Sequence, residues 1–200
     1  MSEPETIAVE SSSQAPLRAF FQGALREGGA ILLHESPPGE APYQVAFELP
    51  SGERLGCVVY AFLAREGRQK GSFAARLGIG PRRRAPHRLW HDPAGLRVTL
   101  LCGVDPERGV FVGADPWLHV EPGFPWTIEC DRAELARIMR AGWSAWERAP
   151  RSEDDLVEVL VGGTAREFVR YVRFERDALG EDQGHRHLLA DRAAPDLLRR

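Results

Sequence analysis

Residues 54–119 read RLGCVVYAFLAREGRQKGSFAARLGIGPRRRAPHRLWHDPAGLRVTLLCGVDPERGVFVGADPWLH, and this stretch decides the fold. It holds a long apolar run from Arg54 to Arg65, a short one at Phe73–Leu77, and another from Arg97 to Val104. Such runs, rich in β-branched and aromatic residues and bounded by Gly, Pro and Asp, are typical of strands. The turn DPERG then predicts Val110–Asp115 as the hairpin partner of the last run.

The flanking sequence adds strands and helices to this centre. Tyr43–Leu49 and the turn PSGE predict a hairpin with the first long run, and further strands are predicted at Ala30–His34, Trp126–Cys130 and Leu156–Val161. Apolar residues at helical spacing predict a helix from Pro16 with a core face, and the predicted members of that face are Leu17, Phe20, Phe21, Ala24 and Leu25.

Two more helices complete the predicted fold. One is capped by Asp131 and stopped by Gly142, and the other runs from Thr164 to Leu179 after a glycine pair that ends the last strand. The sequence therefore predicts an α+β domain in which about three helices flank a mainly antiparallel sheet or partly open, barrel-like sheet.

The chain length predicts one domain over residues 15–180. Residues 1–14 are predicted to be a disordered tail, and residues 181–200 a tail or linker that includes a short helix. No apolar run approaches the length that spans a bilayer, and the acidic start is unlike a secretory signal, so we expect a cytoplasmic protein. The three cysteines lie singly in apolar contexts, which predicts buried thiols.

Positive charge is concentrated in the middle of the chain. Residues 53–100 carry ten basic residues against three acids, whereas residues 1–52 and 101–200 each have a net charge of −5. The near-neutral total of −3 therefore hides a segment of +7. Such polarisation favours a polyanionic partner for one part of the surface.

Familiar catalytic patterns are not found. A restriction-type nuclease needs Asp or Glu two residues before a lysine, but the only lysine, Lys70, has Arg68 at that position. The carboxylates of Asp105, Glu107 and Asp115 could hold a metal, although an Asp-Pro pair more often starts a turn. His87 and His91 are spaced as a helical metal pair, but the surrounding prolines disfavour a helix. We therefore predict no catalytic residue, metal or cofactor.

The basic segment predicts an interface for double-stranded DNA on two loops, 65–70 and 80–91. Guanidinium groups bridge phosphate oxygens or bind guanine edges, and tryptophans beside turns can stack on bases, although they more often cover a sheet. The predicted DNA-contacting residues are Arg65, Arg68, Lys70, Arg76, Arg82, Arg83, Arg84, Arg88, Trp90 and Trp117.

Several stretches resemble the N-terminal region of bacterial restriction-endonuclease-like and defence-associated proteins. The resemblance covers roughly residues 55–192 and rests on LLCGVDPERGVFVGADPWLH, AGWSAWER, VEVLVGGTAREFVRYVRFERDALG and RHLLAD. It implies a DNA-recognition region that precedes a nuclease or other effector. In that family the strand before the glycine-rich loop often carries Arg and Gln, where this chain has Ser72 and Ala74 in KGSFAARLG.

Two other readings stay open. In the first, the chain is an interaction or regulatory subunit of a defence system, and its basic loop docks an acidic partner protein. In the second, Asp105, Asp115 and a histidine form a metal-dependent active site. Binding to nucleic acid at physiological salt separates the first reading from a DNA-recognition module.

Overall fold

A computed structural model describes residues 3–68, 70–77, 88–120, 126–148 and 157–192. The strands in these ranges are β1 (Ile7–Ala8), β2 (Ile31–Glu35), β3 (Glu40–Ala41), β4 (Tyr43–Glu48), β5 (Arg54–Glu66), β6 (Phe73–Leu77), β7 (Arg97–Asp105), β8 (Val110–Ala114), β9 (Trp126–Cys130), β10 (Trp143–Arg148) and β11 (Glu158–Thr164). The helices are α1 (Ser11–Glu27), α2 (Arg132–Ala141), α3 (Phe168–Asp177) and α4 (Gln183–Arg192), and a short 3-10 turn at Ala165–Glu167 leads into α3.

The main sheet is mixed and open. Its strands follow the order β10-β11-β8-β7-β5-β4-β2, and β6 joins β5 and β9 to one side of this path. The predicted hairpins β4–β5 and β7–β8 are confirmed, but β5 and β7 run parallel, with Gly56 opposite Arg97 and Leu63 opposite Val104. Because β10 and β2 lie at opposite ends of the described sheet, the described strands form no closed barrel, and the barrel-like alternative is not supported.

Two apolar layers cover the two faces of the main sheet. On one face, α1 and α3 pack over alternate residues of β5, including Cys57 and Val59. All five predicted core residues of α1 are buried. On the other face, Val58 and Tyr60 of β5 pack under β6, β9 and α2. The end of β5 thus turns away from the main sheet and carries β6 back over β7, where Ala75 lies against Gly103.

The helix boundaries follow ordinary capping chemistry. The Asp131 side chain accepts a hydrogen bond from Glu134 N at 2.8 Å, and Gly142 ends α2 with a φ of 83°, as predicted. The glycine pair Gly162–Gly163, in contrast, does not end the last strand. Both residues lie inside β11. Glycine is needed at these positions because a Cβ would collide with the buried side chains of Ile138 and Phe111.

Both predicted tails contain regular structure. Ile7–Ala8 pairs with Glu40–Ala41 as a two-stranded ribbon, and α1 begins at Ser11, within the segment predicted as disordered. The short helix predicted after Gly180 is present as α4 and packs against β10 and β11. The three cysteines are free and buried, as predicted. Among the described residues, none of the helices combines the length and apolar character that crossing a membrane requires.

We expect Gly113→Ala and Gly23→Ala to change stability in opposite directions. Gly113 lies against the buried ring of Tyr171, whose hydroxyl donates to Leu101 O at 3.0 Å, so an added methyl group has no space and should cost about 1–3 kcal/mol. Gly23 lies within α1 with open space around its Cβ position, and alanine should stabilise the helix by about 0.5–1 kcal/mol. Urea unfolding of both variants measures the difference. Equal stabilities would contradict this packing.

Candidate functional site

Four of the predicted DNA-contacting residues lie together at the end of β5. Arg65 is on β5, Arg68 and Lys70 are in the turn that follows, and Arg76 is on β6. All four side chains are exposed. Arg65 pairs with Ala74 across β5–β6, and side chains of paired residues share a face, so Arg65, Ala74 and Arg76 lie on the outer face of this small sheet.

A fifth basic residue reaches the same place from a distant part of the chain. Arg132 begins α2 and is exposed, and its side-chain carbons lie 3.7–3.9 Å from the Cβ position of Gly71. We call the exposed patch formed by Arg65, Arg68, Lys70, Arg76 and Arg132 the basic surface. Sequence reasoning missed Arg132 because its local pattern indicates only the first turn of a helix.

The basic surface stands on a well-defined turn. Gly71 N donates to Glu66 Oε1 at 2.7 Å, and Gly67 N donates to Ser72 O at 3.3 Å. Gly71 has a φ of 83°, a conformation that favours glycine. The Glu66 carboxylate is thus held by the Gly71 backbone N–H and, among the described residues, not by an arginine.

Ion pairing sets the basic surface apart from most other cations of the protein. Within the described ranges, none of its five members makes an ion pair. By contrast, Arg54 and Arg97 pair with Glu48 and Glu3, at 2.6 and 3.1 Å. Among the described residues, these five cations without an ion pair therefore lie together at one end of β5.

The remaining predicted contacts lie elsewhere or outside the described ranges. Arg82, Arg83 and Arg84 fall outside the described residues. Arg88 is exposed and lies at the rim of a cavity beside β5. The structure therefore gives positions for the 65–70 loop but for only the last part of the 80–91 loop.

The two tryptophans are not brought to the basic surface. The Trp90 side chain is half-buried and packs against the apolar layer of the sheet. Its backbone N–H donates to the Tyr60 hydroxyl at 3.0 Å, and its carbonyl accepts from Thr99 Oγ1 at 2.7 Å. Thr99 is level with Val58, seven residues before Arg65, which is about 23 Å along the strand. Trp117 follows β8 at the same end as Trp90, where it is 46% exposed and stacks on His91 with ring centroids 3.9 Å apart.

A buried ionic cluster joins α3, α4 and the end of β8. The Arg186 side chain is 1% exposed, and its Nη2 donates to Glu175 at 2.9 and 3.1 Å. Its Nε lies 3.2 Å from Asp115 Oδ2, without the alignment of a hydrogen bond. The guanidinium also lies 5.0 Å from the centroid of the Phe174 ring. A charge this deeply buried needs such partners, so α4 is fixed to the sheet at this point.

A second buried carboxylate extends the cluster. Glu158 is fully buried and lies 2.8 Å from His119 Nε2 and 3.2 Å from Arg148 Nη2. Gln183 Nε2 donates to Asp115 Oδ2 at 2.6 Å, and Gln183 Oε1 accepts from the backbone of β11. Local sequence patterns do not predict this cluster, because its members come from β10, β11, α3, α4 and the segment after β8. Its carboxylates face cations and amides, which is the arrangement of a structural network.

Burial also raises the pKa of Glu175 to about 7, and the attraction of Arg186 offsets this only in part. In the unfolded chain the pKa of Glu175 lies near 4.5, whereas in the folded chain the carboxyl group retains its proton to about pH 7. The contribution of Glu175 to the free energy of unfolding is therefore fully present below pH 4.5 and decreases as the pH rises towards 7.

The geometry does not support the metal-dependent reading of Asp105 and Asp115. Asp105 Oδ1 accepts from the backbone N–H groups of Glu107 and Arg108, both at 3.1 Å, so the predicted turn role is confirmed. Asp115 lies beyond the other end of β8, about 16 Å away along the strand. In the described part of the chain, no group of three or more His, Cys, Asp or Glu residues could hold a metal ion.

Comparison with protein families gives a match that covers more than half of the chain. The model of the family described as methylase-associated X1 matches residues 56–172, from β5 into α3. The chain belongs to the methylase-associated X1 family. This membership links the chain to methylase-associated proteins of restriction–modification systems, and at that level it confirms the resemblance found in the sequence. No curated protein and no solved structure matches the chain.

Most of the methylase-associated X1 segment coincides with the sheet and its two apolar layers. It includes four members of the basic surface on β5, β6 and the turn between them, and Arg132 on α2. It also includes Asp115 and Glu158 of the buried cluster, whereas Glu175 and Arg186 lie beyond it.

The pH dependence of stability tests the ionisation of Glu175. Relative to Glu175→Gln, the wild-type chain should lose stability between pH 4.5 and 7, by at most about 1.4 kcal/mol per pH unit. The free energies of unfolding of both chains, measured in urea from pH 4 to 8, give this difference. A difference that stays constant, or that increases with pH, would show that the pairing with Arg186 dominates and keeps Glu175 ionised.

Proposed function

We propose that this member of the methylase-associated X1 family is a DNA-recognition module of a restriction–modification or defence system, and that its basic surface contacts the phosphates of double-stranded DNA. The observation that carries the proposal is the convergence of five exposed cations, without ion pairs in the described ranges, on one face. Lysine and arginine side chains that neutralise DNA phosphates release condensed counterions, and this release favours binding.

The shape of the site favours phosphate contacts over direct base reading. The basic surface lies on a small sheet with a projecting turn, so its arginines can follow a DNA backbone. Ala74 lies between Arg65 and Glu129 on this outer face and has no group that reads a base edge, and Ser72 is buried. Arg68 and Lys70, on the projecting turn, are the members best placed to enter a groove.

The module would act together with another component of the system. The family description associates it with methylases, and the sequence resemblance places such a region before a nuclease or other effector. In this proposal the chain supplies DNA binding and the associated protein supplies the reaction. The alternative, an acidic partner protein that docks on the same residues, predicts strong binding to that partner and weak binding to DNA at physiological salt.

A salt titration with labelled duplex DNA tests the interface. The double variant Arg65→Gln/Arg76→Gln should bind all duplex sequences more weakly, and its plot of log K against log salt should be about 2 units less steep, since each lost phosphate contact removes about 0.9. The matched control is Arg26→Gln/Arg140→Gln, which removes two exposed cations that also make no ion pair in the described ranges.

The control variant should keep the wild-type slope. If both double variants change the slope equally, the effect reflects total charge and the proposed interface is refuted. If the wild-type chain fails to bind duplex DNA even at low salt, the DNA-recognition role itself is refuted, and the acidic partner becomes the explanation of the basic surface.

A further inference from the structure

The edge of β5 is interrupted beside the basic surface. On one side β5 pairs with β7 along Gly56–Leu63. On the other side, β4 pairs with β5 only as far as Val59. The pairing of β6 with β5 begins at Ala64. Among the described strands, Tyr60–Leu63 therefore has no partner on this second side. A strand edge of this kind presents backbone N–H and C=O groups that can bind a ligand.

A cavity of about 160 Å³ occupies this interruption. Its walls include the aromatic residues Tyr43, Tyr60 and Phe62, and Ile7 and Val9 also line it. Tyr43 and Tyr60 are almost fully buried and are held by hydrogen bonds to Glu35 and from the Trp90 backbone, so the aromatic wall is rigid. A cavity near 150 Å³ is large enough for one benzene-sized ring.

The polar groups around the cavity suit a ring with a hydrogen-bonding edge. The Tyr60 hydroxyl accepts from Trp90 N and retains its own proton, because burial raises the pKa of Tyr60. Gln14 and Glu5 also line the cavity, and Arg88 lies at its exposed rim. Aromatic walls combined with donors and acceptors are how proteins bind a base that has left its stack.

We infer that this cavity binds a pyrimidine base turned out of the DNA helix, an inference that rests on the proposed function and extends it. The strand that carries the cavity also carries the basic surface: Phe62 is three residues before Arg65, which is about 10 Å along β5. Residues three apart on a strand face opposite sides, so a base from a duplex on the basic surface reaches the cavity around the open edge of Tyr60–Leu63. The cavity volume matches a single six-membered ring and not an extended chain.

An added peptide strand is the other occupant that an open strand edge can accept. Here the ribbon of β1 and β3 lies across the gap, because Ile7, Val9 and Ala41 line the cavity. A strand laid along Tyr60–Leu63 would collide with this ribbon, whereas a flat ring enters end-on.

Two ligands test the cavity with wild-type protein. The first is free deoxycytidine or thymidine monophosphate, observed by saturation-transfer NMR. The second is a duplex with one unpaired pyrimidine, which should bind about tenfold more tightly than the fully paired duplex, because an unpaired base costs little to turn out. Ala41→Phe and Val9→Phe fill the cavity from the exposed ribbon, and Ala8→Phe places the same group on that ribbon outside the cavity.

The filled variants should lose mononucleotide binding and the tenfold preference while keeping the paired-duplex affinity and salt slope of the wild type. Ala8→Phe should retain all four properties. The inference is overturned if the wild type binds neither mononucleotide at millimolar concentration, or if filling the cavity leaves binding unchanged. If the protein binds paired duplex with a steep salt slope but binds no mononucleotide, base binding in the cavity is refuted and the proposed DNA interface is not. If the protein binds a mononucleotide but no duplex, base binding in the cavity is supported and the proposed DNA interface is refuted.

Discussion

The buried guanidinium of Arg186 is the interaction on which the C-terminal half of the structure depends. It is enclosed by carboxylates from α3 and from the end of β8, so one side chain ties two helices to the sheet. Removing any one partner would leave a charge buried without compensation, which is far more costly than losing a surface ion pair. This constraint explains why a helix with little apolar character, α4, still has a defined place in the fold.

The strand β5 plays a comparable role in the other half. Its first part belongs to the main sheet, its alternate faces contribute to both apolar layers, and its last residues leave that sheet to carry β6. The same departure produces the basic surface and the interruption of the sheet edge. A single long strand thus determines where uncompensated charge and an aromatic cavity lie with respect to each other.

Local patterns were sufficient for the hairpins and for the cap of α2, because a turn or a cap is specified by neighbouring residues. Patterns could not predict that β5 and β7 run parallel, since strand alternation says nothing about partners distant in sequence. The glycine pair in β11 predicts a strand end by its local pattern. The reason for glycine there is that a Cβ would collide with Ile138 and Phe111, which are distant in sequence. The burial of Arg186 also has no local signal, because its carboxylate partners Glu175 and Asp115 lie outside α4.

The charge of the central segment shows most clearly what the fold adds to the sequence. Counting residues 53–100 gives +7, yet Arg54 and Arg97 are paired with acids from the N-terminal segment. The fold therefore removes part of the surplus near the start of β5 and β7, and adds Arg132 at the opposite end. Because electrostatic attraction depends on uncompensated charge in space, the site that we propose is centred on one end of β5, away from Trp90 and Trp117.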